Sequence, residues 1–268
     1  MTATSSARDA ELPVSEVSAD VFCVGPWGRT RTAVYFVRAR GAWVLIDAGW
    51  AGDAPAIARA ARQLLGTARP AAILLTHCHP DHSGAARPLA VEWGCRVYLH
   101  PLELPIAHGD FAAMQASAGP LDHRVILPVM RAIGAQRRAE ILRRNSIAEL
   151  TELLDVSDHP PGLPGWTCVP TPGHTPGHVA YYRAQDRVLI SGDAVVNLQL
   201  NTVRGLVLQR PGLSGPPWYT TWSRRAAASS LRTLAELDPA IIASGHGIPV
   251  SGRGLASALR RLAGPEPG

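Results

Sequence analysis

The sequence predicts a layered α/β fold, and three observations predict it. Short runs rich in β-branched and aromatic residues, each bounded by Gly, Pro or Asp, recur along the chain and read as strands. Between them lie stretches with apolar residues at helical spacing, such as Ala227, Leu231, Leu234 and Ala235. The third observation is a faint internal repeat. Trp43-Val44-Leu45-Ile46-Asp47, a helix, then an apolar run ending at His77 is echoed by Val188-Leu189-Ile190-Ser191-Gly192-Asp193, a helix, then an apolar run ending near His246. Each half places an acid after one strand and a histidine after the next. Two such halves packed face to face gather those side chains at one mouth.

In order, strands are predicted over 21–25, 33–38, 43–47, 71–76, 96–99, 167–170, 179–183, 187–191 and 240–244. Helices are predicted over 54–65, 84–93, 129–154, 223–237 and 255–262. Residues 1–19 read as a flexible N-terminal tail. Residues 20–268 read as a single domain, a size ordinary for one layered core. The stretch 101–165 interrupts the pattern, since it separates two strands by far more than a usual connection. It is expected as a helical insertion, acting as a lid over the mouth or as a contact between two copies of the chain.

Composition narrows the class. Hydrophobic content of 46% with 18% charged residues is that of a globular protein. The sequence has no 18-residue apolar stretch, so no membrane partner is expected. The opening residues lack the apolar centre of a signal peptide, and the four cysteines show no CxxC spacing, so free thiols and a cytoplasmic location are expected. The net charge is +5, carried entirely by arginine because the chain has no lysine. The arginines are scattered in pairs (Arg137-Arg138, Arg143-Arg144, Arg224-Arg225, Arg260-Arg261) without aromatic interleaving, so no nucleic-acid partner is expected.

The chemistry concentrates in Thr76-His77-Cys78-His79-Pro80-Asp81-His82, directly after an apolar run. His77 and His79 alternate, so on an extended backbone they point the same way. Asp81 and His82 follow a proline that turns the chain and bring ligands from another side. Cys78 points away from them and reads as packing. Imidazole with carboxylate suits zinc, and also iron or manganese. Downstream stand His174 in Thr171-Pro172-Gly173-His174-Thr175-Pro176-Gly177-His178, Asp193 after a strand, and His246 in Ser244-Gly245-His246-Gly247.

This HxHxDH motif with the later His, Asp and His resembles the metallo-β-lactamase superfamily over roughly residues 20 to 250. The resemblance implies an αββα four-layer sandwich with metals at its edge. It implies His77, His79 and His174 on one ion, Asp81, His82 and His246 on a second, and Asp193 bridging both. Two divalent ions are expected as cofactors, zinc first, with iron or manganese as alternatives. Such ions sit about 3.5–4 Å apart, and hydroxide formed between them attacks a carbonyl carbon. Asp81 doubles as a hydrogen-bond partner of the attacking oxygen. Asp47 has no ligand slot and is expected to orient a ligand histidine. His178 is expected to support its turn and not to bind metal, and His100, His108, His123 and His159 to be solvated or structural.

Within that superfamily several departures guide the choice of substrate. Zinc β-lactamases lack the bridging Asp. Quorum-quenching lactonases carry a Tyr three residues after it, where this chain has Val196. Hydroxyacylglutathione hydrolases add a C-terminal helical domain, whereas about twenty residues follow His246 here. The expected activity is hydrolysis of a small-molecule ester, thioester or lactone, in a branch like glyoxalase II or the lactonases. The alternatives are a phosphodiesterase of the same fold or a low-activity β-lactam hydrolase. The pocket is expected to be shaped by loops at 26–31 and 195–221, including Trp218 and Tyr219, and by Leu104, Phe111, Met114 and Leu121 of the insertion.

Overall fold

The computed structural model describes residues 12–39 and 41–265. Two sheets form its centre. The first has seven strands in sequence order: β1 (Val14–Ser18), β2 (Val21–Trp27), β3 (Thr32–Ala39), β4 (Ala42–Ile46), β5 (Ala72–Leu74), β6 (Arg96–Leu99) and β7 (Thr151–Leu153). Strands β1 to β4 are antiparallel, and β4 to β7 run parallel. The second sheet is built from β8 (Trp166–Pro170), β9 (Val179–Arg183), β10 (Val188–Gly192), β13 (Ile241–Ser244) and β14 (Val250–Ser251), in the order β14-β13-β10-β9-β8. A separate ribbon pairs β11 (Val196–Leu198) with β12 (Pro211–Ser214), and the short helix α8 (Val203–Leu208) connects them.

The apolar runs are continuous because both faces of these strands are covered. Alternation then sorts each strand's residues between layers. Tyr35, Ile46 and Leu74 face Cys168, Tyr181 and Ile190 between the sheets. Phe36, Leu45 and Ile73 face outward onto α1 (Ala54–Leu65) and α3 (Ala86–Trp93), through Ile57, Ala61 and Leu89. On the far side, Tyr182, Leu189 and Ile242 meet Leu231, Leu234 and Leu259 of α9 (Arg224–Glu236) and α10 (Leu255–Ala263). Three apolar layers between helix, sheet, sheet and helix make an αββα sandwich.

The repeat is real at the level of topology. β4, α1 and β5 form one parallel unit, and β10, α9 and β13 form the other. Each delivers its acid and its histidine beyond the carboxyl ends of parallel strands, where α/β sheets hold ligands. Ser223 starts α9 as its N-cap, accepting the Ala226 N–H at 3.3 Å.

Two expectations needed correction. Residues 14–18 of the predicted tail are strand β1, while residues 1–11 lie outside the described residues. β1 is exposed or half-buried, so its hydrophobic pattern is weak; pairing with the open edge of β2 supplies its backbone bonds. The helix predicted over 129–154 is broken. After the short helices α4 (Leu104–Ala107) and α5 (Phe111–Ala116), the insertion divides into α6 (Leu127–Ala132), α7 (Ala135–Asn145), a 3-10 turn at Ala148–Leu150 and strand β7. Gly134 at φ 83° interrupts α6 and α7, and the extended Ser146 ends α7. The insertion is therefore not wholly helical: its end joins the first sheet, and Leu154 and Leu163 sink between the sheets.

Candidate metal centre

The motif 77–82 leaves β5 at the edge of the sandwich. His79 is the extended residue before the short helix α2 (Pro80–Ser83), which carries Asp81 and His82 back toward the centre. His174 lies on the loop between β8 and β9, Asp193 follows β10, and His246 follows β13. Two tyrosines crossing the middle layer fix the strand ends beneath them. Tyr181 donates to the Leu75 carbonyl at 3.1 Å, and Tyr35 to the Ser244 carbonyl at 2.6 Å. The loops are also joined directly, by Val179 N–H to the Thr76 carbonyl (2.9 Å) and Ala33 N–H to the Gly245 carbonyl (2.8 Å).

These placements bring all seven predicted residues together. Donor atoms of His77, His79 and His174 lie within 4.8 Å of one another, as do those of His77, His82 and Asp193, and those of Asp81, His82 and His246. Asp193 stands between the groups. Its Oδ1 is 3.4 Å from His82 Nε2, and its Oδ2 is 3.2 Å from His246 Nε2 and 3.5 Å from His174 Nε2. A Cβ on Gly245 would run into the His82 ring and Asp193 Oδ1, so only glycine lets the β13 loop come this close.

Whether the donors suit metal is tested by what they leave unmet. His77 Nε2, His82 Nε2 and Asp193 Oδ1 are buried without a hydrogen-bond partner. Orphaned buried polar atoms are costly and rare, and a cation satisfies several of these at once. Burial, then the neighbouring imidazoles, holds His77 well below the usual histidine range; the same causes, led by burial and His79, lower His174. Both stay neutral, which is the ligand form. Burial opposes the charged form of His82 and His246 too, but Asp193, joined by Asp47 for His82 and Asp81 for His246, raises both. In turn, against the effect of burial, His246 and His82 hold Asp193 well below the carboxylate range.

Asp47 lies against His82 and Thr76. Its Oδ2 is 2.8 Å from His82 Nδ1, and its Oδ1 accepts the Thr76 N–H at 2.8 Å. It sits at φ 60°, a backbone position uncommon outside glycine, asparagine and aspartate. The two repeated acids, Asp47 and Asp193, thus face the two nitrogens of one ring. His178 is set apart from the donor groups: its Nε2 accepts the Asp193 N–H at 3.0 Å, and its Nδ1 lies 2.7 Å from Thr171 Oγ1. Burial, reinforced by His82 and His79 over the opposing Asp193, lowers it to about 3, so it is a neutral acceptor that holds the Asp193 backbone. Cys78 packs in the outer core as expected, its thiol pushed up by burial, Glu103 and Asp47. His100 and His159 bond locally, to Leu102 N–H and opposite the Trp166 carbonyl.

Sequence reasoning overlooked Glu103. It is fully buried, and its two oxygens accept the N–H groups of Cys78 and Gly177, each at 2.9 Å. A glutamate shortly after a strand was its only signal, and that is too common to find it. Farther along the insertion, Leu121 N–H donates to the Tyr219 carbonyl at 2.7 Å. Leu104 packs on the outer core, and the Phe111 ring lies under the Arg138 guanidinium.

The comparisons agree with this geometry. Residues 27–246 match the Metallo-beta-lactamase superfamily. The chain is 34% identical over 243 residues to "Probable metallo-hydrolase YflN" of Bacillus subtilis, covering 86% of each. Among solved structures it is similar to TTHA1623 in a di-iron-bound form, at 30% identity and a TM-score of 0.54, over 86% of this chain and 94% of that one. The metallo-beta-lactamase family protein TTHA1429 from Thermus thermophilus shares the fold at a TM-score of 0.63 and 23% identity, over 92% and 80% of the two chains. Family match, fold and clustered donors agree, and the chain belongs to the Metallo-beta-lactamase superfamily, as a metallo-hydrolase.

Proposed function

We propose that this chain is a dinuclear metal-dependent hydrolase that cleaves a small-molecule ester, thioester or lactone. The observation that supports it most is Asp193, whose two oxygens face different histidines of one buried cluster. His77, His79 and His174 would hold one ion, and Asp81, His82 and His246 the other, with Asp193 shared. When bound, such ions supply a water acidic enough to act near neutral pH and a Lewis acid for the scissile carbonyl. No serine or cysteine nucleophile is needed. Asp81 is more exposed than Asp193, and its Oδ2, 3.5 Å from His246 Nε2, would hold the proton of the attacking water. Asp47 Oδ2, 2.8 Å from His82 Nδ1, would hold that ring's proton on Nδ1 and leave the Nε2 lone pair to the ion.

The donors are all nitrogen and oxygen, which suits zinc, iron or manganese. Zinc is our first assignment, with iron beside it because a relative is known in a di-iron form. Burial, then Asp193 and Asp81, raise the Tyr219 phenol, which keeps its hydroxyl protonated and able to donate to substrate. A phenol supplied from that loop would stand in for the tyrosine missing at Val196, which keeps lactones beside thioesters in the substrate class. Arg143 and Arg144 are engaged by Glu140, and Arg260 by the Ala235 carbonyl, all on outer helices. No helix among the described residues is long and apolar enough to cross a membrane. Four unpaired cysteines suit a reducing compartment, and we place the enzyme in the cytoplasm.

The test is a substrate panel on metal-replete protein at matched concentrations. Acyl esters, thioesters or lactones should lead in kcat/KM, with β-lactams and phosphodiesters far behind. A phosphodiester leading by about tenfold would overturn the assignment, since that margin is about 1.4 kcal/mol of transition-state preference.

A further inference from the structure

Glu103 has no role in the chemistry above, yet it is buried completely and touches the two loops that carry three of the histidines. It closes the 3-10 turn Pro101–Glu103, where the insertion leaves β6. One oxygen accepts the N–H of Cys78, the residue between His77 and His79. The other accepts the N–H of Gly177, three residues beyond His174. Among the described residues its side chain bonds to no other loop of the cluster. Peptide N–H groups at these positions have no strand partner, so this side chain, together with the Val179 N–H to Thr76 carbonyl bond, ties loops that sequence separates by about a hundred residues. Gly177 is cut to fit: a Cβ there would meet Glu103 Cγ at 2.9 Å and Oε1 at 3.0 Å.

We propose that Glu103 is a positioning residue for one half of the metal centre. It fixes His77, His79 and His174 relative to one another and leaves Asp81, His82 and His246 to Asp47 and β13. This rests on the proposed dinuclear site. Its consequence is asymmetric. Disturbing Glu103 loosens one ion and spares the other, whereas a merely structural defect would weaken both together. Because Glu103 begins the insertion, it also ties that segment's seat to the His77–His79–His174 group.

Co(II) is the probe, because its visible bands report each ion's surroundings. The proteins are wild type, Glu103→Gln and Gly177→Ala, with His79→Ala and His246→Ala as references that identify the band belonging to each half. Glu103→Gln puts an NH2 against a peptide N–H. Gly177→Ala displaces the same side chain without changing charge. Both should weaken the His79-dependent ion by about 10–100-fold, the usual effect of losing a partner of ligand groups. The His246-dependent ion should stay within about threefold, and its band should not shift. Equal weakening of both ions, or no change in either, overturns the proposal. If one variant does not fold, the other decides; loss of the fold in both makes Glu103 structural and also overturns it. Fewer than two ions on wild type would sink the dinuclear reading instead, and Glu103 is still judged on the His79-dependent band.

Discussion

Replacing Asp47 by asparagine tests the division of labour around His82. The carboxylate Oδ1 accepts the Thr76 N–H at 2.8 Å, and Oδ2 accepts from Thr76 Oγ1 at 2.9 Å while facing His82 Nδ1 at 2.8 Å. Asparagine is the same size, and its oxygen keeps the Thr76 N–H. Its NH2 then points at His82 Nδ1, which must become an acceptor. The ring proton moves to Nε2, the atom 3.4 Å from Asp193 Oδ1 that a metal would use. One charge-assisted hydrogen bond, worth about 1.5–3 kcal/mol, is lost. That corresponds to about 10–100-fold in metal affinity, the range seen when such outer partners are removed. We expect Asp47→Asn to bind its weaker ion about 10–100-fold less tightly in chelator competition, with activity down at least as far when metal is limiting. The melting temperature of the metal-free protein should move by only a few degrees, because the Thr76 N–H and hydroxyl can both still donate to the remaining oxygen, as they do to Oδ1 at 2.8 and 3.1 Å. Wild-type metal affinity in Asp47→Asn would refute the tautomer argument. A large collapse in stability with intact affinity in the folded fraction would make Asp47 a structural residue.

Asp193→Ala removes the shared carboxylate, and we expect activity to fall by about 100-fold or more with metal content below two per chain by elemental analysis. His178→Ala should keep its metal but lose about 1–3 kcal/mol of stability in denaturant melts, because the buried Asp193 N–H loses its acceptor; metal loss matching His174→Ala would make His178 a ligand. Tyr35→Phe deletes one cross-sheet hydrogen bond and should cost about 1 kcal/mol, or about 2–4 °C in Tm, and an unchanged Tm would remove that bond from the account. Burial pushes Cys23 and Cys168 up to about 12 and Cys95 to about 11, and raises Cys78 as well. The reactive thiolate is therefore scarce below those values, and a thiol reagent at about pH 8 should label the native chain slowly, Cys95 first, but all four cysteines after unfolding. Rapid labelling of several native thiols would contradict the packing.

Much of the site was legible in the sequence because its signals are local. His77, His79, Asp81 and His82 stand within one turn-forming stretch, and His174, Asp193 and His246 each follow an apolar run or a Pro-Gly turn. Alternation and helical spacing likewise placed α1 and α9 nearly to the residue. Long-range neighbours were illegible. β1 and β7 form because β2 and β6 offer open edges, and neither strand has enough buried apolar residues to announce itself. The partners of Glu103, the acceptor role of His178 and the cross-sheet bonds of Tyr35 and Tyr181 join residues distant in the chain. The sequence by itself determined which atoms can bind metal and the order in which the layers are laid down. Only the tertiary structure decided which backbone groups would be left without partners at the loop ends, and therefore which buried side chains had to satisfy them.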